Sequence, residues 1–207
     1  MLQSARRMMD VFRAHSPILM LTLFKTMVRS RLEYCCPVWN PAKVGDIQDI
    51  ESIQRNFTKR INTCKDLNYW ERLEKLQILS LQRRRERYMI IHTWKIINNL
   101  APNDIGMLFK HNQRLGLKAI VPQINTKSQK SVATHYDNSF AVKAAMLWNL
   151  VPKPVNEKTT LDSFKEALGN FLNKYPDTPP TRGYTTANNN SLLEWTSQRG
   201  YNIGGRT

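Results

Sequence analysis

This chain of 207 residues lacks the motif spacings by which a reaction centre is usually read from sequence. It has three cysteines, Cys35, Cys36 and Cys64, and no CxxC spacing. That excludes a disulfide framework and points to a reducing, intracellular compartment, nucleus or cytoplasm. Four histidines (His15, His92, His111, His135) add no zinc-ligand spacing to the cysteines, so neither a metal nor a cofactor is expected. The eight glycines are scattered and form no phosphate-cradling loop. No Ser/His/Asp arrangement is legible. Asp46, Asp49 and Glu51 cluster, but their spacing suits the acidic first turns of a helix better than a metal site. The longest apolar run, residues 18–24, is broken by Thr22 and is too short to cross a bilayer. The first residues have no apolar core behind them of the kind a signal peptide needs.

Acidic charge is also scarce. Sixteen Asp and Glu face thirty-one Lys and Arg, a net charge of +15. The excess is spread along the chain: 18 basic against 9 acidic in residues 1–100, and 13 against 7 in residues 101–207. A basic tail on a neutral body is therefore excluded. Such a field attracts polyanions, chiefly nucleic acid or an acidic membrane surface. Hydrophobic residues at 41% and charged residues at 23% are ordinary for a folded protein. A mean hydropathy of −0.50 and ten prolines leave room for loops.

The periodicity is helical. Residues 1–15 read as an amphipathic helix. Ser16-Pro17 then offers an N-cap and an N1 proline. The helix that follows, to about Tyr34, carries two apolar rows: Met20, Phe24, Val28, Leu32, and Leu19, Leu23, Met27. Two rows predict burial on a broad face, as in the central helix of a bundle. Asp46 is expected to cap the next helix, whose core stripe is Ile47, Ile50, Ile53, Phe57 and Ile61. A short helix around Trp70 to Leu76 precedes a long one, capped by Ser80 and running to about Asn98. Residues 119–124 and 131–136 read as the strands of a short hairpin. Ser139 and Thr160 cap the last two helices, and a flexible tail begins after about residue 173. The expected fold class is mainly α.

Four segments carry a family resemblance. Arg31-Leu32-Glu33-Tyr34-Cys35-Cys36-Pro37-Val38-Trp39-Asn40-Pro41 and the helix after it resemble the region downstream of the polymerase core in jockey-like non-LTR retrotransposon reverse transcriptases. Tyr69-Trp70-Glu71-Arg72-Leu73-Glu74-Lys75-Leu76 with Leu79-Ser80-Leu81-Gln82-Arg83-Arg84-Arg85 is similar to that family's Y-x-E-R-L-x-x-L and L-S-L-x-x-R-R pattern. The run Phe140 to Pro152 resembles its W-N-x-L-P segment. The run Thr160 to Leu168 resembles its S-L-x-S-F-K-x-x-L segment. Cys35 and Cys36 depart from the small residues usual there. The resemblance implies a thumb-like helical bundle over residues 1–65, a post-thumb helical region over 66–173, and a tail over 174–207. It implies a non-catalytic piece of an RNA-directed DNA polymerase. The polymerase turn Tyr-x-Asp-Asp is missing, and the chain holds no Asp-Asp pair. It implies contact with template–primer nucleic acid, whether RNA, DNA or hybrid, without sequence preference and without a membrane partner.

Two basic groups are candidates for phosphate contact: Arg55, Lys59 and Arg60 on one helix, and Arg83, Arg84, Arg85 and Arg87 on the long one. Four arginines at a helix start oppose the macrodipole, which suggests that they face an anion. The bland reading is a solvated helix face with long stems over apolar neighbours. The alternative for the whole chain is an element remnant serving as a helical protein-interaction module, or without function. It predicts an exposed apolar face where the missing palm would have packed, and self-association through it.

Overall fold

The computed structural model describes residues 16–101, 108–112, 116–120, 139–177 and 191–193. The helix expected over residues 1–15, most of the expected hairpin at 119–124 and 131–136, and most of the tail lie outside these residues.

The protein is mainly helical, with a small two-stranded antiparallel sheet. Helix α1 (Pro17–Leu23) passes through a π-helical stretch, Phe24–Arg29, into α2 (Ser30–Glu33). The hydroxyls of Thr22, Thr26 and Ser30 each donate to the carbonyl four residues back. Such back-bonding competes with the backbone ladder and loosens the winding. Ser16 occupies the N-cap in extended backbone, but its side chain accepts no capping bond; Pro17 sets the start. Short α3 (Cys36–Trp39) follows Cys35, which sits in the left-handed region at φ 51°. Helix α4 is Val44–Lys59, and a 3-10 turn, Asn62–Cys64, leads to α5 (Tyr69–Lys75). The N-cap of α4 is Lys43, so Asp46 lies in the first turn and does not cap it. Asn68 does cap α5, in a reciprocal capping box with Glu71.

The long helix α6 spans Leu81–Ile97. Strands β1 (Phe109–Asn112) and β2 (Gly116–Ala119) pair with Phe109 opposite Ala119 and Asn112 opposite Gly116. This sheet lies upstream of the hairpin expected from sequence, most of which falls outside the described residues, and its four-residue strands are too short for alternation to announce them. Helices α7 (Phe140–Leu150), α8 (Lys153–Asn156) and α9 (Leu161–Leu172) complete the described chain. Ser139 and Thr160 cap α7 and α9 as their sequence positions predict.

The chain divides into two compact units, and the division falls inside α6, between Arg85 and Glu86. Residues 66–85 belong with the first unit, because α5 is bonded to α4 through Tyr69 and Arg72. The first core is built from Met20, Phe24, Val28, Leu32, Ile50, Ile53, Phe57, Ile61, Cys64 and Leu81. Phe24 stacks on Phe57 with centroids 4.3 Å apart. Only one of the two apolar rows of the first helix is buried. Leu19 and Met27 are exposed, so this helix is not the centre of a bundle among the described residues.

The second core gathers Met89, Ile90, Trp94, Ile96, Phe109, Leu117, Leu147, Trp148, Phe164, Leu168 and their neighbours. Trp94 stacks on Phe164 at 5.2 Å and donates its indole N–H to the carbonyl of Lys158. Leu192 is buried in this core, and its N–H donates to the Glu86 carboxylate.

Candidate nucleic-acid interface

The arginine run at the start of α6 is where sequence most strongly suggested an anion. The structure supplies anions from within the first unit. Glu51, fully buried on α4, accepts the backbone N–H groups of Leu81 and Gln82 at 3.1 and 3.2 Å. It also accepts the Tyr69 hydroxyl. Those amides are among the orphan donors of a helix start, so Glu51 caps α6 from another element. Asp177 accepts the Ser80 hydroxyl and backbone N–H, and the Ser80 hydroxyl accepts the Arg83 N–H. Glu33 takes Arg84 in a two-pronged ion pair, with its second contact at 2.9 Å. Three carboxylates thus offset the local positive charge.

That arrangement corrects the expectation for the arginines. Arg83 and Arg85 are 1% and 2% exposed. A guanidinium so buried cannot reach a solvent phosphate while the helix start is folded. Arg85 donates to the Asn40 side chain at 3.1 Å, and Arg84 is held by Glu33. Arg87 is half-buried and donates to the Lys165 carbonyl within the second unit. The four do not form one outward face.

Glu51 was grouped by sequence with Asp46 and Asp49 as helix-start acid. Asp46 and Asp49 are exposed near the start of α4, whereas Glu51 points the other way, into the unit. Burial pushes its carboxyl above the ordinary range, opposed by the Tyr69 hydrogen bond and the nearby Arg85 charge. Gln54, one turn on, donates to Tyr69 and to the Leu79 carbonyl at 3.2 and 3.0 Å. Arg72 donates to the Thr58 hydroxyl and to the Leu67 and Arg55 carbonyls. Glu51, Gln54 and Thr58 form a buried polar stripe at helical spacing beside the apolar one, a signal the sequence carries and the reading above did not use.

Arg55, Lys59 and Arg60 end α4. Arg55 is half-buried, its guanidinium 5.1 Å from the Tyr69 ring centroid. Lys59 and Arg60 are exposed at the C-terminal end, where positive charge also complements the macrodipole. Exposed Lys65 follows the 3-10 turn, and Lys75 reaches back to the Thr63 carbonyl at 2.6 Å. Exposed Asp66 and Glu74 dilute this group.

Cys36 is buried, and burial with the neighbouring Glu33 pushes its thiol up to about 11. His92 is half-buried edge-on to Phe140, and burial lowers its pKa. Among the described residues no three His, Cys, Asp or Glu side chains gather to hold a metal ion. No described helix is long and apolar enough to cross a membrane.

No family model, curated protein or solved structure matches the chain.

The segments that carried the sequence resemblance are structural in this fold. Tyr69, Glu71 and Arg72 bond and cap; Leu73 packs. Ser80 caps α6. The Asn149 amide accepts the Leu117 N–H and donates to the Leu117 carbonyl, both at 2.9 Å, as a third strand would. Thr160 caps α9, and Phe164 and Leu168 fill the second core.

Proposed function

We propose that this chain is a non-catalytic, thumb and post-thumb portion of a non-LTR retrotransposon reverse transcriptase, and that it binds template–primer nucleic acid through phosphate contacts. One observation carries the binding reading. Among the described residues the buried charges are three arginines (Arg72, Arg83, Arg85) and two glutamates (Glu51, Glu86), so most of the positive excess carried by those residues lies outside the cores. That excess is available to a polyanion, and lysine and arginine neutralise phosphate without reading sequence. The order of the four motif segments supports the assignment to the reverse-transcriptase family. The described contact group in the first unit is Lys59 and Arg60, with Arg55 behind them.

The test is fluorescence anisotropy of a labelled RNA–DNA hybrid against the full chain at 50 and 200 mM salt. Four phosphate contacts would cost roughly 100-fold in affinity over that change. Changing Lys59→Ser and Arg60→Ser together should weaken binding and lower the salt slope by about 2. Absence of binding at 50 mM salt would sink the nucleic-acid reading.

A second reading has its own observation. Ile18 and Val38 are 78% and 86% exposed, and Leu19, Met27 and Tyr34 are exposed with them. This favours a helical module that associates through an apolar face of the first unit. Sedimentation would separate the readings: a concentration-dependent dimer dispersed by Ile18→Lys supports the module, and a monomer at all concentrations removes it.

A further inference from the structure

The longest acid-free interval of the chain lies between Asp104 and Asp137. It carries Lys110, Arg114, Lys118, Lys127 and Lys130. Its described part is the ladder of β1 and β2. The register places Lys110 directly opposite Lys118. Phe109 and Leu117 are buried on one face, and the two lysines share the other, both exposed. Like charges directly opposed across a ladder disfavour its pairing. Among the described residues neither lysine forms an ion pair with an acid.

The ladder is nonetheless firmly seated within the second unit. Asn149 on α7 takes both the N–H and the carbonyl of Leu117. Gly116 adopts φ 74° where a Cβ would meet the Asn149 Oδ1 at 2.5 Å, so the amide and the strand fit only with glycine there. Because Leu117 turns its backbone groups to Asn149, that edge of β2 is closed to an added peptide strand. The same choice makes Lys110–Lys118 a hydrogen-bonded pair with Cα atoms about 5.5 Å apart. The Ile120 N–H donating to the Leu108 carbonyl two positions further on has the same parity. Two flexible ammoniums on such a base reach one phosphate oxygen cluster, and an anion between them removes the repulsion.

We propose that Lys110 and Lys118 form a phosphate-binding pair for a nucleic-acid backbone on the outer face of the β1–β2 ladder. The proposal rests on the reading of the chain as a phosphate binder, and adds a contact site that sequence periodicity did not single out. Its chemistry is point-charge neutralisation by lysine, without bidentate geometry and without base readout.

The experiment uses the full chain, an RNA–DNA hybrid and a salt series, with two variants. Lys110→Ser with Lys118→Ser should leave the thermal transition in place and lower the salt slope by about 2. Lys110→Glu turns the like-charge pair into an opposite-charge pair. It should hold or raise the thermal midpoint while reducing affinity at 50 mM salt roughly tenfold or more. A residue that merely supports the fold would move the two readouts together. An unchanged slope in the double serine variant, with the parent still salt-sensitive, would overturn the lysine pair and leave the proposed function standing. Failure of the parent to bind the hybrid would overturn both. Parent binding to phosphatidylserine vesicles in preference to the hybrid would also overturn the pair as a nucleic-acid site.

Discussion

The two units solve burial differently. The first places polar and charged side chains inside: Glu51, Gln54, Thr58, Arg72, Ser80, Arg83 and Arg85 are all buried. The second relies on an aliphatic and aromatic core around Trp94, Trp148 and Phe164, with only Glu86 and Thr93 as buried polar side chains among its described residues. The difference teaches where charge can be functional. In the first unit much of the arginine that looks like a binding surface is structural. In the second, lysines stay on the outside of a small ladder.

The largest expected effect tests that contrast at Glu51. Glu51→Ala leaves the Leu81 and Gln82 amides and the Tyr69 hydroxyl without their acceptor. Removing one partner from a buried charged cluster costs about 3–5 kcal/mol. Glu51→Gln keeps one acceptor and should cost less. Hydrogen exchange on the full chain should show the loss in the first unit's amides; equal loss in both units would break the comparison. Phe164→Ala is the counterpart in the second unit. It removes a ring stacked on Trp94 and should cost about 3–5 kcal/mol through the cavity it leaves. Its exchange signature belongs in α7 and α9.

A smaller effect is expected at Asn149. Asn149→Ala strips two backbone groups of β2 of their partner, costing about 1–3 kcal/mol. Exchange at the Leu117 amide should accelerate before any amide of α9 does.

The units should also answer acid in opposite directions. Burial raises the Glu51 carboxyl, so the folded first unit holds that proton more tightly than the unfolded chain. Its contribution is complete below the ordinary carboxylate value and is lost as pH rises through the raised one. Burial, with Lys95 nearby, lowers His92, so its contribution is present above the ordinary histidine value and lost as pH falls through the lowered one. Stability measured from pH 4 to 8 should change slope in one direction for Glu51→Gln and in the other for His92→Gln. Slopes moving the same way would contradict the assigned burial. Least perturbing is thiol labelling of the native chain: exposed Cys35 should react quickly, and buried Cys36 and Cys64 slowly.

The helices were legible because their signals are local. Pro17, Ser80, Ser139 and Thr160 mark starts, and Ile50, Ile53 and Phe57 mark a core stripe at helical spacing. The β1–β2 sheet was not read from sequence because strands of four residues, with Lys110 and Lys118 outward, leave almost no period to read. The arginine run was misread for a related reason. Opposition to the macrodipole was visible at Arg83 to Arg87, but its counter-charges come from Glu33, Glu51 and Asp177, as many as 97 residues away. No local pattern announces a cap that arrives from another element. The broad apolar face of the first helix was overread, since two rows at spacing four do not say that both are covered.

The most direct test of sequence-independent phosphate binding compares two RNA–DNA hybrids of equal length and unrelated sequence. Each is titrated with the full chain across a salt series from 50 to 200 mM. The account predicts equal affinities at every salt concentration and a common linear fall of log K with log salt, with a slope of several units. A marked preference for one sequence, or an affinity that salt does not change, would contradict it.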